Sequence, residues 1–287
     1  MPRRSFSKAM VSAAFLTATA VSLPVVRLAF AEEAFVPGCT LPWSAIAPKH
    51  DANSACPPEG KADKEPHQAQ NRAKNNVCAT AKPLTVTYDT FKALQKKAED
   101  DEIPFGSSNS LPGDRESLRD IYKMPSGKRI GEGSVVRYVG FISHPRYSNT
   151  GKGKGESVNC KLPDKENNDI HIDLVRQPGD PACRSVTAEV IPHFRPAAWE
   201  VDKLKLVMDR PVRITGHLFF DAAHRPCRND EDKVAPKRIS IWEIHPVYAI
   251  DVCREKTLKA CPAEDRTKWL ALDQWLNTEE DEAPENE

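Results

Sequence analysis

Histidines and carboxylates recur along this chain at the alternating spacing that puts side chains on one face of an extended segment. Asp169, His171 and Asp173 form one such set, Glu189 and His193 lie in register on a second segment, His217 is on a third, and Glu243 and His245 are on a fourth. Imidazole with carboxylate supplies two chemistries, ligands for zinc or a similar divalent ion and a general acid/base pair. In a metal reading, His171, Glu243 and His245 are ligands and Asp169 or Glu189 is the base of a hydrolase of phosphodiesterase or nuclease type. In the other reading the same residues are solvated strand faces and hydrogen-bonded barrel positions, with Glu243 and His245 fixing the backbone before Pro246. Neither an H-E-x-x-H helix nor a D-x-D-x-D-G calcium loop accompanies them, so the spacing leaves both open.

Other motifs remove alternatives. The run Thr150-Gly151-Lys152-Gly153-Lys154-Gly155-Glu156-Ser157 fails the phosphate-loop pattern, and neither a G-x-S-x-G elbow nor a dinucleotide glycine fingerprint occurs. A ligand site without chemistry would draw on Tyr147, Asp169, His171, Asp173, Arg213 and His217, with Tyr147 the aromatic best placed for stacking. Trp242, between Ile241 and Ile244, reads as core.

Strands must position these groups. Ser134 to Ser143, Asp169 to Val175, Ser185 to Ile191, Pro211 to Asp221 and Arg238 to Val252 read as strands, with a helix over Pro196 to Met208. Strand, strand, strand, helix, strand, strand is the order of the OB-fold, a five-stranded Greek-key barrel that binds oligonucleotides and oligosaccharides. The expected fold is therefore mainly β with some α, an OB-like barrel over 133–253 with loops Pro145 to Lys165 and Ala222 to Pro236 flanking its ligand face. Before it come an irregular cysteine-containing arm, 32–83, and a short helical segment, 84–132, with helices Tyr88 to Asp101, capped by Asp89 or Thr90, and Arg115 to Tyr122. After it come a C-terminal helical segment, 254–278, helical over Ala263 to Leu276, and an acidic, disordered tail, 279–287.

The segments Asn168 to Val175, Val212 to Asp221 and Trp242-Glu243-Ile244-His245-Pro246-Val247 resemble those of a recurrent group of uncharacterised bacterial exported proteins. The resemblance covers Gly133 to Cys253 and implies an OB-like barrel and little chemistry.

The first residues give an address. Arg3-Arg4-Ser5-Phe6-Ser7-Lys8 stands before a weakly apolar stretch ending in Ala29-Phe30-Ala31, the form of a twin-arginine export signal, 1–31. Its polar residues, Pro24 and Arg27 argue against a membrane anchor, and a periplasmic or secreted protein follows. Removal of four basic and no acidic residues leaves 37 basic against 41 acidic, a formal net charge of −4, which disfavours nucleic acid as partner. A small molecule, a glycan or an envelope protein fits better, with a scaffold in an envelope assembly as a further alternative. No cofactor is implied beyond a possible divalent metal.

All eight cysteines, Cys39, Cys56, Cys78, Cys160, Cys183, Cys227, Cys253 and Cys261, lie after the cut, and an even count in an oxidising compartment points to disulfides. Sequence proximity suggests Cys253 with Cys261 and Cys160 with Cys183.

Overall fold

The computed structural model describes residues 56–79, 81–109 and 111–282; residues 1–31, expected to be an export signal, Cys39 and the last five residues of the tail lie outside them. Four α-helices and nine strands occur among the described residues: α1 (Glu65–Lys74), β1 (Leu84–Thr85), α2 (Tyr88–Asp100), β2 (Tyr122–Lys123), β3 (Arg129–Ile130), β4 (Val135–Tyr147), β5 (Ile170–Val175), β6 (Val186–Val190), α3 (Val201–Lys205), β7 (Pro211–Phe220), β8 (Trp242–Cys253), β9 (Trp269–Ala271) and α4 (Leu272–Glu282).

Five of the strands close a barrel. β4 pairs with β5, β5 with β6, β6 in parallel with β8, β8 with β7, and β7 returns to β4. This is the OB order, with α3 between the third and fourth barrel strands. The length of β4 makes closure possible: its first half pairs with β7 from Val135 to Phe141, and its second half pairs with β5 from Phe141 to Tyr147.

Strand alternation divides the wall into two surfaces. Ile170, Ile172 and Leu174 of β5, Val186, Ala188 and Val190 of β6, and Trp242 and Ile244 of β8 enter one apolar core. His171, Asp173, Thr187, Glu189, Glu243 and His245 alternate with them and face outward. Gly216 of β7 crosses this core closely, for a Cβ there would stand 2.4 Å from the Pro246 carbonyl oxygen.

α2 closes one end of the core with Phe91, Leu94 and Ala98, and the Trp242 indole donates to the Leu94 carbonyl. Its N-cap is Thr87, one residue before the helix, rather than Asp89 or Thr90. Thr87 accepts from the Thr90 amide and Thr90 bonds back to the Thr87 amide, a reciprocal box.

Several expected helices are shorter than their apolar spacing suggested. Arg115 to Tyr122 is a 3₁₀ turn, Glu116–Leu118, leading into the β2–β3 hairpin. Pro196 to Met208 holds a 3₁₀ turn, Ala197–Trp199, then only α3, which buries Val201 and Leu204. In Ala263 to Leu276, Trp269–Ala271 is β9, because the tight Cys253–Cys261 disulfide turns the chain back along β8 and Trp269 pairs with Cys253. α4 then runs to Glu282, into the acidic segment expected to lack structure.

Cys253 joins Cys261 as expected, but Cys160 joins Cys56 and Cys183 joins Cys227. Folding sets these pairings: the β4–β5 loop carrying Cys160 meets the arm, and Cys183 meets the β7–β8 loop. Cys78 is disulfide-bonded as well. No helix among the described residues is long and apolar enough to cross a membrane.

Candidate functional site

The arm is not wholly irregular. Glu65 in the first turn, Pro66 beside it and Arg72 and Lys74 in the last turn favour α1, whose charges agree with the helix dipole. The final carbonyls of a helix have no partner within it. Here the barrel supplies partners: the Lys74 carbonyl lies 2.9 Å from His245 Nδ1, and just beyond the helix the Asn76 carbonyl accepts from the Tyr248 hydroxyl at 2.7 Å and lies 2.8 Å from His217 Nδ1. The Cys56–Cys160 bridge fastens the other end of this segment to the β4–β5 loop. The arm thus lies over the outward face of β5, β6 and β8, the side of an OB barrel on which ligands sit.

Beneath it is a network of charges. Lys74 Nζ lies 3.2 Å from Glu156 and 3.3 Å from Glu189, and His171 Nε2 lies 3.2 Å from Glu189 and 3.6 Å from Glu156. His245 Nε2 faces Asp169 Oδ2 at 3.3 Å and Glu189 Oε2 at 3.1 Å, and Asn159 donates to the other Asp169 oxygen. Behind these, Arg238 joins Asp221 at 2.7 Å and Glu243 at 3.1 Å with all side chains buried.

Burial pulls His171 down, yet Glu189 and Glu156 outweigh it and raise the imidazole to about 9. In His245 burial is likewise overcome, by hydrogen bonds to Asp169 and Glu189, and its value rises to about 10. Both rings are therefore imidazolium at neutral pH. Burial pushes Glu189 and Glu156 up, but His171 and Lys74 hold both carboxyls well below the usual range. Glu243 goes the other way: burial, with Glu189 and Asp221 nearby, raises it well above the usual range, against the pull of Arg238.

A pocket of about 400 Å³ opens onto this network. The β4–β5 loop contributes Ser148, Asn149, Glu156 and Ser157, the strands His171 and Glu189, the β7–β8 loop Asp221, His224 and Pro236, and α1 Gln70, Asn71 and Lys74. At its mouth the half-exposed His224 is oriented by Asp221, 2.7 Å from Nδ1.

The expected site residues divide. His171 lines the pocket, and Asp169, His245 and Glu243 stand behind it. Asp173 is beside it, paired with Arg146 at 2.8 Å. His217 is at the edge, under Asn76, where burial lowers it to about 4. His193 is also lowered to about 4 by burial. Tyr147 ends β4 instead of lying in the loop; its hydroxyl bonds Glu200 and its ring packs near Arg195, away from the pocket. Arg213 is on the other flank, held by Asp251 at 2.8 Å and packed on Trp269. Lys74, Glu156, Asp221, His224 and Arg238 were not expected.

Asp169, Glu189 and His245 bring three donor atoms within 4.8 Å of one another and could hold a metal ion. The metal set expected from sequence, His171, Glu243 and His245, does not converge, because Glu243 is turned to Arg238. In the structure His245 Nε2 lies between the two carboxylates, 3.3 Å from Asp169 and 3.1 Å from Glu189.

The fold and site together define a disulfide-stapled OB-type barrel whose ligand face is roofed by its own N-terminal arm. Comparison of the chain with protein-family models, with curated proteins and with solved structures finds no match.

Proposed function

We propose that the chain is an exported binding module whose pocket under the arm takes a neutral, polyhydroxylated ligand, a glycan fragment. The observation that carries this is the composition of the pocket wall. Lys74 and His171 are each paired with Glu156 and Glu189, Arg146 with Asp173 and His224 with Asp221, so the wall does not call for a ligand of strong charge. Between these pairs Gln70, Asn71, Ser148 and Asn149 offer donors and acceptors side by side, the pattern that matches sugar hydroxyls. The position between the β4–β5 and β7–β8 loops is where OB barrels bind oligosaccharides. The paired arginines and small-x-small ending of residues 1–31 support twin-arginine export to the periplasm or beyond, and the disulfides fit an oxidising compartment.

Isothermal titration with neutral di- and trisaccharides, beside their sulfated forms, tests the reading. Neutral sugars bind and His224→Ala with Asn149→Ala abolishes it; binding only of the sulfated forms, or neutral binding unchanged in the double variant, overturns the site.

One observation favours a second reading, a metal-dependent hydrolase: the convergence of Asp169, Glu189 and His245. The imidazole there has the orientation of many metal-bound histidines, with the far nitrogen on a backbone carbonyl. A metal would have to displace the His245 proton in the presence of Lys74. Elemental analysis of protein purified without chelator decides between the two, since the binding module carries no stoichiometric ion.

A further inference from the structure

A second pocket, of about 680 Å³, lies across a wall that both cavities share, formed by Arg146, Ala235 and Pro236. Its character differs from the first. Ile142, Pro178, Ala182, Met208 and Val234 line it, and the one buried charged group in its wall is Asp173.

Only one Asp173 oxygen is used. Oδ2 pairs with Arg146 Nη1 at 2.8 Å, whereas Oδ1 is buried and has no hydrogen-bond partner. On the register partner in β6, the buried Thr187 hydroxyl is also without one. A buried acceptor left unpaired is penalised, and a ligand that brings a donor removes the penalty. Arg146 bonds the His144 carbonyl at 3.1 Å as well, which fixes the shared wall.

We propose that this pocket is a second subsite for the same ligand and takes the acetamido group of an N-acetylated amino sugar. The acetamido N–H donates to Asp173 Oδ1 and the methyl group covers the apolar wall. A hydroxyl would satisfy the oxygen but leave that wall wet, and an alkyl chain would cover the wall but leave the oxygen unpaired. With two pockets on either side of one wall, the ligand is an oligosaccharide of at least two rings, at least one of them N-acetylated. This rests on the polar pocket being a saccharide site.

Titration of the oxidised protein with N,N′-diacetylchitobiose and with cellobiose, which has hydroxyls in place of both acetamido groups, separates the two claims. Diacetylchitobiose binds at least about tenfold more tightly, the effect of one hydrogen bond to a charged acceptor. Asp173→Asn removes the preference by keeping the Arg146 contact on the amide oxygen and turning an N–H toward the ligand. Ala182→Phe removes it by filling the apolar pocket. Equal affinity for the two sugars, or a preference that survives both substitutions, overturns the subsite and leaves the polar pocket standing. Binding of neither sugar overturns the saccharide reading and the subsite with it.

Discussion

Replacing Lys74 by methionine tests whether ionic contacts hold the arm on the barrel. The Lys74 side chain is 11% exposed, and its ammonium lies 3.2 Å from Glu156, 3.3 Å from Glu189 and 5.9 Å from the centre of the Phe219 ring. Methionine keeps the apolar stem and removes the cation, so Glu156 is left to His171, and Glu189 to His171 and His245. Removing one partner of a buried pair destabilises by about 3–5 kcal/mol, because the stranded charge must be protonated or hydrated. With His171 still present the lower end applies, about 3 kcal/mol. For a chain of this size each kcal/mol shifts melting by about 2–4 °C, so Lys74→Met melts about 6–12 °C lower. Urea and thermal melts followed by circular dichroism at pH 7 measure this for Lys74→Met, Glu156→Gln and the double variant. Glu156→Gln removes one of the stranded carboxylates, so the double variant recovers about 1–3 kcal/mol relative to the sum of the singles. A Lys74→Met protein that melts with the wild type, or two substitutions that simply add, would refute ionic fastening.

Stability depends on pH on both sides of neutrality. His171 at about 9 and His245 at about 10 are raised above the ordinary value, so the stability they lend is full below about pH 6.5 and is lost as pH rises through those values. For His171 the rise from 6.5 to about 9 is worth about 3 kcal/mol. His193 and His217, lowered to about 4, lend stability that is full above about pH 6.5 and is lost as pH falls toward 4. Urea midpoints at pH 5, 7 and 9.5 should peak at the middle value, and a flat profile contradicts the network. Replacing Cys56 and Cys160 by serine opens a loop of sequence separation 104 and lowers stability by about 4–5 kcal/mol on chain entropy; limited proteolysis should then cut within the arm first, and cutting elsewhere first contradicts its docking. Gly216→Ala forces a Cβ to 2.4 Å from the Pro246 carbonyl oxygen and 2.6 Å from Ile244, a strain of about 1–3 kcal/mol visible as a lowered melting temperature.

The barrel was legible because its strands alternate. Ile170, Ile172 and Leu174 against His171 and Asp173 leave one register possible, and the outward histidines and carboxylates follow from it. α1 was not legible: among its residues only Gln70 and Asn71 are buried, so no apolar stripe marks it, and its attachment is made by backbone carbonyls and by Lys74. Glu156, Asp221 and His224 were missed for a related reason. They come from loops whose positions depend on closure of the whole barrel, and sequence spacing carries no record of that. The helical apolar spacing after Pro196 and around Trp269 imitated longer helices; around Trp269 strand pairing and a disulfide decided the backbone. Tyr147 and Arg213 had suitable chemistry and the wrong places, one at the Glu200 corner and one against Asp251.

The division of the wall into an apolar inner surface and a charged outer one means that two texts are written on the same strands in alternate letters. In β6, Val186, Ala188 and Val190 spell the barrel, and Thr187 and Glu189 spell what lies outside it. A lineage can therefore rewrite the outer letters by substitution, changing the chemistry of the outer face, with the inner text left readable. Insertions in the β4–β5 and β7–β8 loops alter the margins of both. Deletion of one residue inside β5, β6 or β8 exchanges the texts, bringing charge into the core and isoleucine beneath the arm. In the strands the unit of tolerated change is thus the substitution or the pair of residues, and variation in length is confined to the loops that border the pocket.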